Sequence, residues 1–253
     1  MLLTDGSPND TDSLRVYESS VLDTSSMESI DLGVKLHLAL NEISEDVIDI
    51  LLSHSTDWTG LLRRTKGVSD VVVTPQLKRW HALHTLEAFY RDAFNNQLND
   101  RYQVKAQEYA ELARGARLLT VRYGIGLVNN PIPQADQPQV TFTNGPPPAA
   151  TYYFQVTWVS STGQEGAPSK LTAVDGNQGQ LPVIQALNPP PIAAGFNVYA
   201  SLSPEGLALQ NSTPVAVGGS FTLNATGPVS GNAPGMGQVP DLYVTGGSNL
   251  NRG

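Results

Sequence analysis

Apolar residues recur at steps of three and four through the first half of the chain, then give way to short β-branched and aromatic runs in the second. Over residues 31–52, Leu36, Leu40, Ile43, Val47, Ile50 and Leu51 form one stripe, while Glu42, Glu45, Asp46 and Asp49 take other faces. That spacing predicts an amphipathic helix. Leu14, Tyr17 and Val21 predict a shorter helix from Ser13 to about Leu22. Val71-Val72-Val73 predicts a brief extended stretch. Thr74 is a good N-cap, and Pro75 then falls at the first helical position, where its missing N–H costs nothing. From there a stripe through Trp80, Leu83, Leu86, Tyr90, Ala93/Phe94, Leu98, Tyr102, Ala106, Tyr109, Leu112/Ala113, Ala116 and Leu119 runs to about Arg122. At about 1.5 Å per residue this helix would be roughly 70 Å long if unbroken. Asn95, Asn96, Asn99 and Asp100 are weak helix formers clustered midway, where a kink or short break is expected. Gly124 and Gly126 stop the helix. An unbroken helix of that length has no equal partner in the first half of the chain, which predicts packing against helices of neighbouring subunits.

The second half reads as strands. Tyr152 to Val159 is aromatic and β-branched throughout, and residues 196–200, 214–217 and 220–223 are further candidates. Turn residues separate them: Ser161-Thr162-Gly163, Asn177-Gln178-Gly179, the three prolines from Pro189, and Gly218-Gly219. Short strands at such intervals suggest a β-sandwich of about 100 residues. The expected fold class is thus α+β and multidomain, a long-helix bundle followed by an immunoglobulin-like β-sandwich. Its expected domains are 1–133, 134–235 and an extended Gly/Asn-rich tail over 236–253, with Pro131, Pro133 and Pro138 marking the linker.

Charge sharpens the division. Residues 1–130 hold 13 of the 15 Lys+Arg and 18 of the 23 Asp+Glu, together with His37, His54, His81 and His84. The net charge of −8 argues against DNA coating, which needs cationic surface. It permits a wall that lets DNA pass without sticking. With no cysteine, thiolate chemistry and disulfides are excluded. No apolar run approaches the roughly 20 residues of a membrane span, and the start lacks a secretory pattern. A soluble protein of a reducing compartment is expected, without membrane contact.

Candidate chemistry is sparse. His81 and His84 stand three apart on a predicted helix, as two metal ligands might, but no HExxH pattern completes them, and a helix-surface or subunit-contact role is the default. Arg63-Arg64-Thr65-Lys66 and Lys78-Arg79 could touch phosphates; in an acidic chain, pairing with acidic neighbours in a subunit ring is favoured. Asp46 with Asp49, and Glu87 with Asp92, have helical spacing but need burial to divide acid from base. No serine sits in a Gly-x-Ser-x-Gly elbow, no phosphate loop occurs, and Gly124-Ile125-Gly126 lacks a third glycine. The expectation is a structural or binding protein, not an enzyme, with no catalytic, cofactor or metal residues.

Tyr17-Glu18-Ser19-Ser20-Val21-Leu22, Ile30-Asp31-Leu32, Lys35-Leu36, Phe94-Asn95-Asn96-Gln97-Leu98-Asn99-Asp100-Arg101-Tyr102 and Gly124-Ile125-Gly126-Leu127-Val128 resemble the helical head-to-tail connector (adaptor, neck) proteins of tailed bacteriophages. The similarity spans most of residues 10–133 and lies in packing and interface positions. It implies a dodecameric ring beneath the portal protein, linking capsid to a tail or nozzle protein, with double-stranded DNA passing through unspecifically. The place implied is the virion neck, after synthesis in the host bacterial cytoplasm. Tyr152-Tyr153-Phe154, the run from Gly163 to Ser169 and Gly195-Phe196-Asn197-Val198-Tyr199 resemble the fibronectin type III or immunoglobulin-like domains appended to phage structural proteins. An alternative follows from that module: a tail-fibre or decoration protein whose sandwich recognises a surface glycan, where an exposed Trp158 or Tyr153 could stack on the sugar, although one of the two is expected in the core.

Overall fold

The computed structural model describes residues 1–53, 66–146 and 149–245. Its N-terminal part is helical and its C-terminal region is built of sheets. The chain divides into two compact units: Gly6–Asn129 with the chain end from Pro240, and Asn130–Val239 with Met1–Asp5. Each unit therefore contains a piece from the far end of the sequence, which the expected linear borders did not include.

In the helical unit, α1 is Thr11–Leu14, α2 Val21–Glu28, α3 Leu32–Ser53, α4 Pro75–Gln97 and α5 Asp100–Tyr123. The single helix expected from Ser13 divides in two. Asp10 caps α1, its carboxylate accepting from the Ser13 N–H at 2.8 Å. The chain then leaves the helix at Arg15, which turns Glu18 inward, and Leu14 and Val21 are both buried. Asp31 caps α3 by accepting from the Gly33 N–H at 2.7 Å. Leu36, Ile43, Val47, Ile50 and Leu51 are buried as their spacing predicts. Thr74 caps α4 with Pro75 in the first turn.

The roughly 70 Å helix is not formed. Leu98 takes a left-handed conformation (φ 51°), and the Asn99 side chain accepts from the Arg101 N–H at 3.0 Å to start a new helix. The weak helix formers noted above thus make a full reversal. α4 and α5 pack on each other along their lengths, and α3 packs on α4. Each half of the stripe is the other's partner, so helix length alone no longer calls for neighbouring subunits. After α5, Gly124 (φ 102°) breaks the helix, and β1 (Ile125–Leu127) forms a bridge with Val71, the extended stretch expected there.

The second unit has two antiparallel sheets. β2 (Gln139–Asn144), β5 (Gln180–Gln185) and β9 (Phe221–Thr222) make one, in the order β2-β5-β9. β3 (Ala150–Ser160), β4 (Thr172–Gly176), β6 (Ala193–Ser201), β7 (Ala208–Leu209) and β8 (Val215–Ala216) make the other, in the order β4-β3-β6-β7, with β8 also on β6. Alternate residues of β3 (Tyr152, Phe154, Val156, Trp158) join Phe196, Val198 and Ala200 of β6 and Ile184 of β5 in one core. The sequence showed the aromatic β3 and β6 but not β2, β4 and β5. β5 carries Pro182 mid-strand, a residue that argues against a strand when read alone.

Residues 236–245 of the expected tail are held by contacts with the rest of the chain. Gln238 is buried, its side chain accepting from the Ile132 N–H at 2.6 Å and donating to the Asn130 carbonyl at 3.0 Å. β10 (Leu242–Val244) pairs antiparallel with β1 in the helical unit. Asp241 accepts from the Asn129 N–H at 2.8 Å, and a Cβ at Gly126 would stand 2.6 Å from Pro240. Residues 246–253 of the expected tail lie outside the described residues.

Candidate functional site

His81 is fully buried on α4. Its Nδ1 faces the Asn9 amide nitrogen at 3.0 Å, and its Nε2 faces the Leu36 carbonyl at 3.0 Å. An amide nitrogen can only donate and a carbonyl can only accept, so the ring is the neutral tautomer with its proton on Nε2. Burial pushes its pKa down to about 4. His81 is a staple between the N-terminal segment, α3 and α4. One turn on, His84 lies between two carboxylates, Nε2 at 2.6 Å from Glu42 and Nδ1 at 3.0 Å from Glu87. The hydrogen bond to Glu87, with that to Glu42, outweighs burial and raises the His84 pKa. Both ring nitrogens then donate, and an imidazolium clamps α3 to α4. The two histidines serve different neighbours, and no metal-binding group of three His, Asp or Glu occurs among the described residues. His54 lies outside them.

His84 borders a cleft of about 650 Å³ between α3, α4 and α5, with Trp80 as part of its lining. Asp46 accepts from Arg117 Nε at 2.8 Å there. Asp46 and Asp49 both line this cleft, Asp46 half-buried and Asp49 exposed. Glu87 is taken by His84, and Asp92 pairs with Lys35 at 2.6 Å, so these two are not an acid–base couple.

The basic runs separate. Lys66 donates to the Val128 carbonyl at 2.7 Å and pairs with Asp70 at 3.6 Å. Arg63, Arg64 and Thr65 lie outside the described residues. Arg79 is exposed on α4. Sequence reading did not single out Glu18, which is buried with its carboxylate accepting from Lys105, from Tyr109 at 3.0 Å and from Ser20 at 2.8 Å. Burial alone would raise its pKa; these donors overcome that and hold it at about 2. The Tyr90 and Tyr109 rings stack beside it at 5.6 Å. This knot ties the 15–20 loop to α4 and α5.

In the sheet unit, Trp158 is core, edge-on to Phe196 at 6.1 Å, so of the two aromatics it is the one that packs inside and not a sugar-stacking platform. Glu165 gathers Thr157, Asn197 and Tyr199, accepting from Tyr199 at 2.7 Å. That network fastens a loop over the β3–β6 sheet.

What remains open is the outside of the helices. α3 presents Val34, Leu38 and Ile48 to solvent, and α5 presents Val104, Leu112, Leu118 and Leu119. Beside the latter runs an open groove of about 410 Å³ lined by Arg79, Glu111, Gly115, Leu118 and Arg122 among others. Leu112 and Leu119, expected on the inward stripe, are partly exposed instead, while the other exposed apolar residues read in sequence as scattered ones on the polar sides of their helices. Among the described residues no helix is long and apolar enough to cross a membrane. No protein-family model matches the chain, and no curated protein sequence matches it.

Proposed function

We propose that this chain is a structural virion protein, a head-to-tail adaptor of a tailed bacteriophage that forms a ring beneath the portal, joins capsid to tail and lets DNA pass. The observation that carries the reading is the unpartnered apolar surface on two long helices of one bundle. Val34 is 59 % exposed, Val104 63 % and Leu118 60 %. With Leu38 and Ile48 on α3 and Leu112 and Leu119 on α5 they make seven exposed apolar side chains on two helices, and such a concentration marks a place where another protein sits. The segments that resemble the adaptors serve as tie points of the bundle, which supports the same architecture. Glu18 makes the buried ion pair, Asp31 caps α3, residues 98–99 make the reversal, and 125–127 form β1. An acidic chain suits a channel wall that does not hold phosphate.

The appended unit reads best as an immunoglobulin-like sandwich. Its β4-β3-β6-β7 order matches the C′-C-F-G sheet of that fold, and β2-β5 matches B-E. Trp158 then occupies the buried tryptophan position of strand C. β9 departs from the pattern: it sits where strand D pairs with E but comes last in sequence. The domain would hang from the ring as a peripheral module.

Electron micrographs of the purified full chain, alone and mixed with portal rings of the same virion, test this. Rings, alone or on the portal, are expected. A chain that stays monomeric and ignores the portal overturns the reading.

A further inference from the structure

The two exposed faces differ in charge as well as position. On α3, Val34, Leu38, Asn41, Glu45 and Ile48 follow one another at steps of four and three, and all are exposed. That is the spacing of the narrow seam by which one helix packs on another, here apolar at Val34, Leu38 and Ile48 and polar at Asn41 and Glu45. Glu45, on this seam, and Asp49, one residue past Ile48, are exposed at the rim of the cleft between α3, α4 and α5 and have no ion-pair partner among the described residues; the neighbouring Glu42 and Asp46 are taken by His84 and Arg117. On α5 the exposed seam runs Val104, Glu108, Glu111, Gly115, Leu118, Arg122, again at steps of four and three. Glu111 is paired with Arg114 at 3.3 Å. Arg79 and Arg122, on the groove beside this seam, have no ion-pair partner among the described residues.

Gly115 adds a separate observation. Glycine inside a helix costs stability relative to alanine, and here nothing in the unit requires it. Its backbone is not left-handed, and a Cβ added to it would meet nothing within 4 Å. A bare backbone in the middle of an exposed apolar groove permits close approach by a helix from elsewhere.

We infer that the α3 seam of one copy of this chain docks in the α4–α5 groove of the next, with Ile48 over Gly115 and Glu45 and Asp49 against Arg79 and Arg122. This rests on the ring reading above and specifies the contact that builds the ring. The contact is head-to-tail, so every copy keeps a free α3 seam on one side and a free groove on the other, and the series closes into a ring or runs on as a filament. Like-with-like pairing is disfavoured: α3 against α3 opposes acids to acids, and groove against groove opposes arginines to arginines.

The absence of cysteine from the chain makes the test clean, because any disulfide reports an introduced pair. Full-length chains carrying Ile48→Cys, Gly115→Cys, or both are oxidised and run without reductant. The double variant should give a ladder of oligomers, the two single variants mixed should give a dimer, and each single variant alone should stay a monomer. Adding Arg79→Glu with Arg122→Glu should reduce ladder formation at least about tenfold, and adding Glu45→Arg with Asp49→Arg as well should restore it. All these positions are exposed, and circular dichroism checks that each variant is folded. No ladder from the double variant, or dimers from the single variants alone, overturns the inference. If wild-type rings are nonetheless visible in micrographs, only this contact is wrong; if none form with or without the portal, the ring reading fails too.

Discussion

At the scale of single residues, the two neighbouring histidines of α4 carry opposite pH dependence. His81 is neutral when folded, with a pKa lowered to about 4 by burial, against about 6.5 in an unfolded chain. Between those values the unfolded state binds more protons, so acidification favours unfolding. Stability should fall as pH drops from about 6.5 to 4, by up to about 3 kcal/mol, and this contribution should level off below that. His84 runs the other way: its raised pKa gives a contribution that is complete below about 6.5 and lost as pH rises through its folded pKa. His81→Gln keeps an acceptor and a donor for Asn9 and Leu36 and does not titrate. Urea unfolding of wild type and variant at a series of pH values isolates the effect: the wild type's advantage should shrink across pH 6.5 to 4. A constant difference would mean that His81 is not buried in neutral form.

At the scale of elements, the turn between α4 and α5 decides what the longest apolar stripe in the sequence means. Leu98 is 74 % exposed and sits at φ 51°, where a side chain is unfavourable by about 1 kcal/mol or more. Leu98→Gly should therefore stabilise the chain by about 1 kcal/mol, seen as a higher midpoint in urea. In an uninterrupted helix the same substitution would cost about as much, so the sign of the change separates hairpin from rod. The stripe was legible because one face of each helix is buried, and a hairpin of two helices buries the same residues as a rod with outside partners. Periodicity reports burial and not what covers it. The cluster of asparagines marked the place of the break, but only the left-handed Leu98 and the Asn99 cap make it a reversal. In the second unit, β3 and β6 were visible because both are aromatic and central. β2 pairs with β5 across the intervening β3 and β4, a long-range partnership that local sequence does not encode. The outer faces went unread for a related reason: Val34 and Leu118 lie on the polar sides of their helices and register there as scattered apolar residues.

At the scale of the whole molecule, the two units are each closed by the opposite end of the chain. The Met1 amino group donates to the Met236 carbonyl at 2.5 Å, Asp5 accepts from the Gln134 N–H at 2.9 Å, and Leu2 and Leu3 are buried, all in the sheet unit. At the other end, β10 lies on β1, and the Asp241 N–H donates to the Leu127 carbonyl at 2.8 Å, in the helical unit. Truncation should consequently act crosswise. Removing residues 2–5 takes two buried leucines from the sheet unit and should cost it about 3 kcal/mol, although the cut is next to the helices in sequence. Removing residues 240–253 strips the edge of β1 and should weaken the helical unit, although the cut follows the sheets. Hydrogen exchange read by peptide gives the answer for each. The first truncation should lower protection in residues 130–239 and spare α4; the second should lower it in residues 71–72 and 125–128 and spare β3 and β6. Protection lost only next to each cut would mean that the ends are not exchanged. The crosswise pattern would also explain why composition placed borders near Pro131 and at 235/236 but missed the one after Asp5: residues 1–5 are too short to shift composition, and the allegiance of both ends is set by who pairs with them.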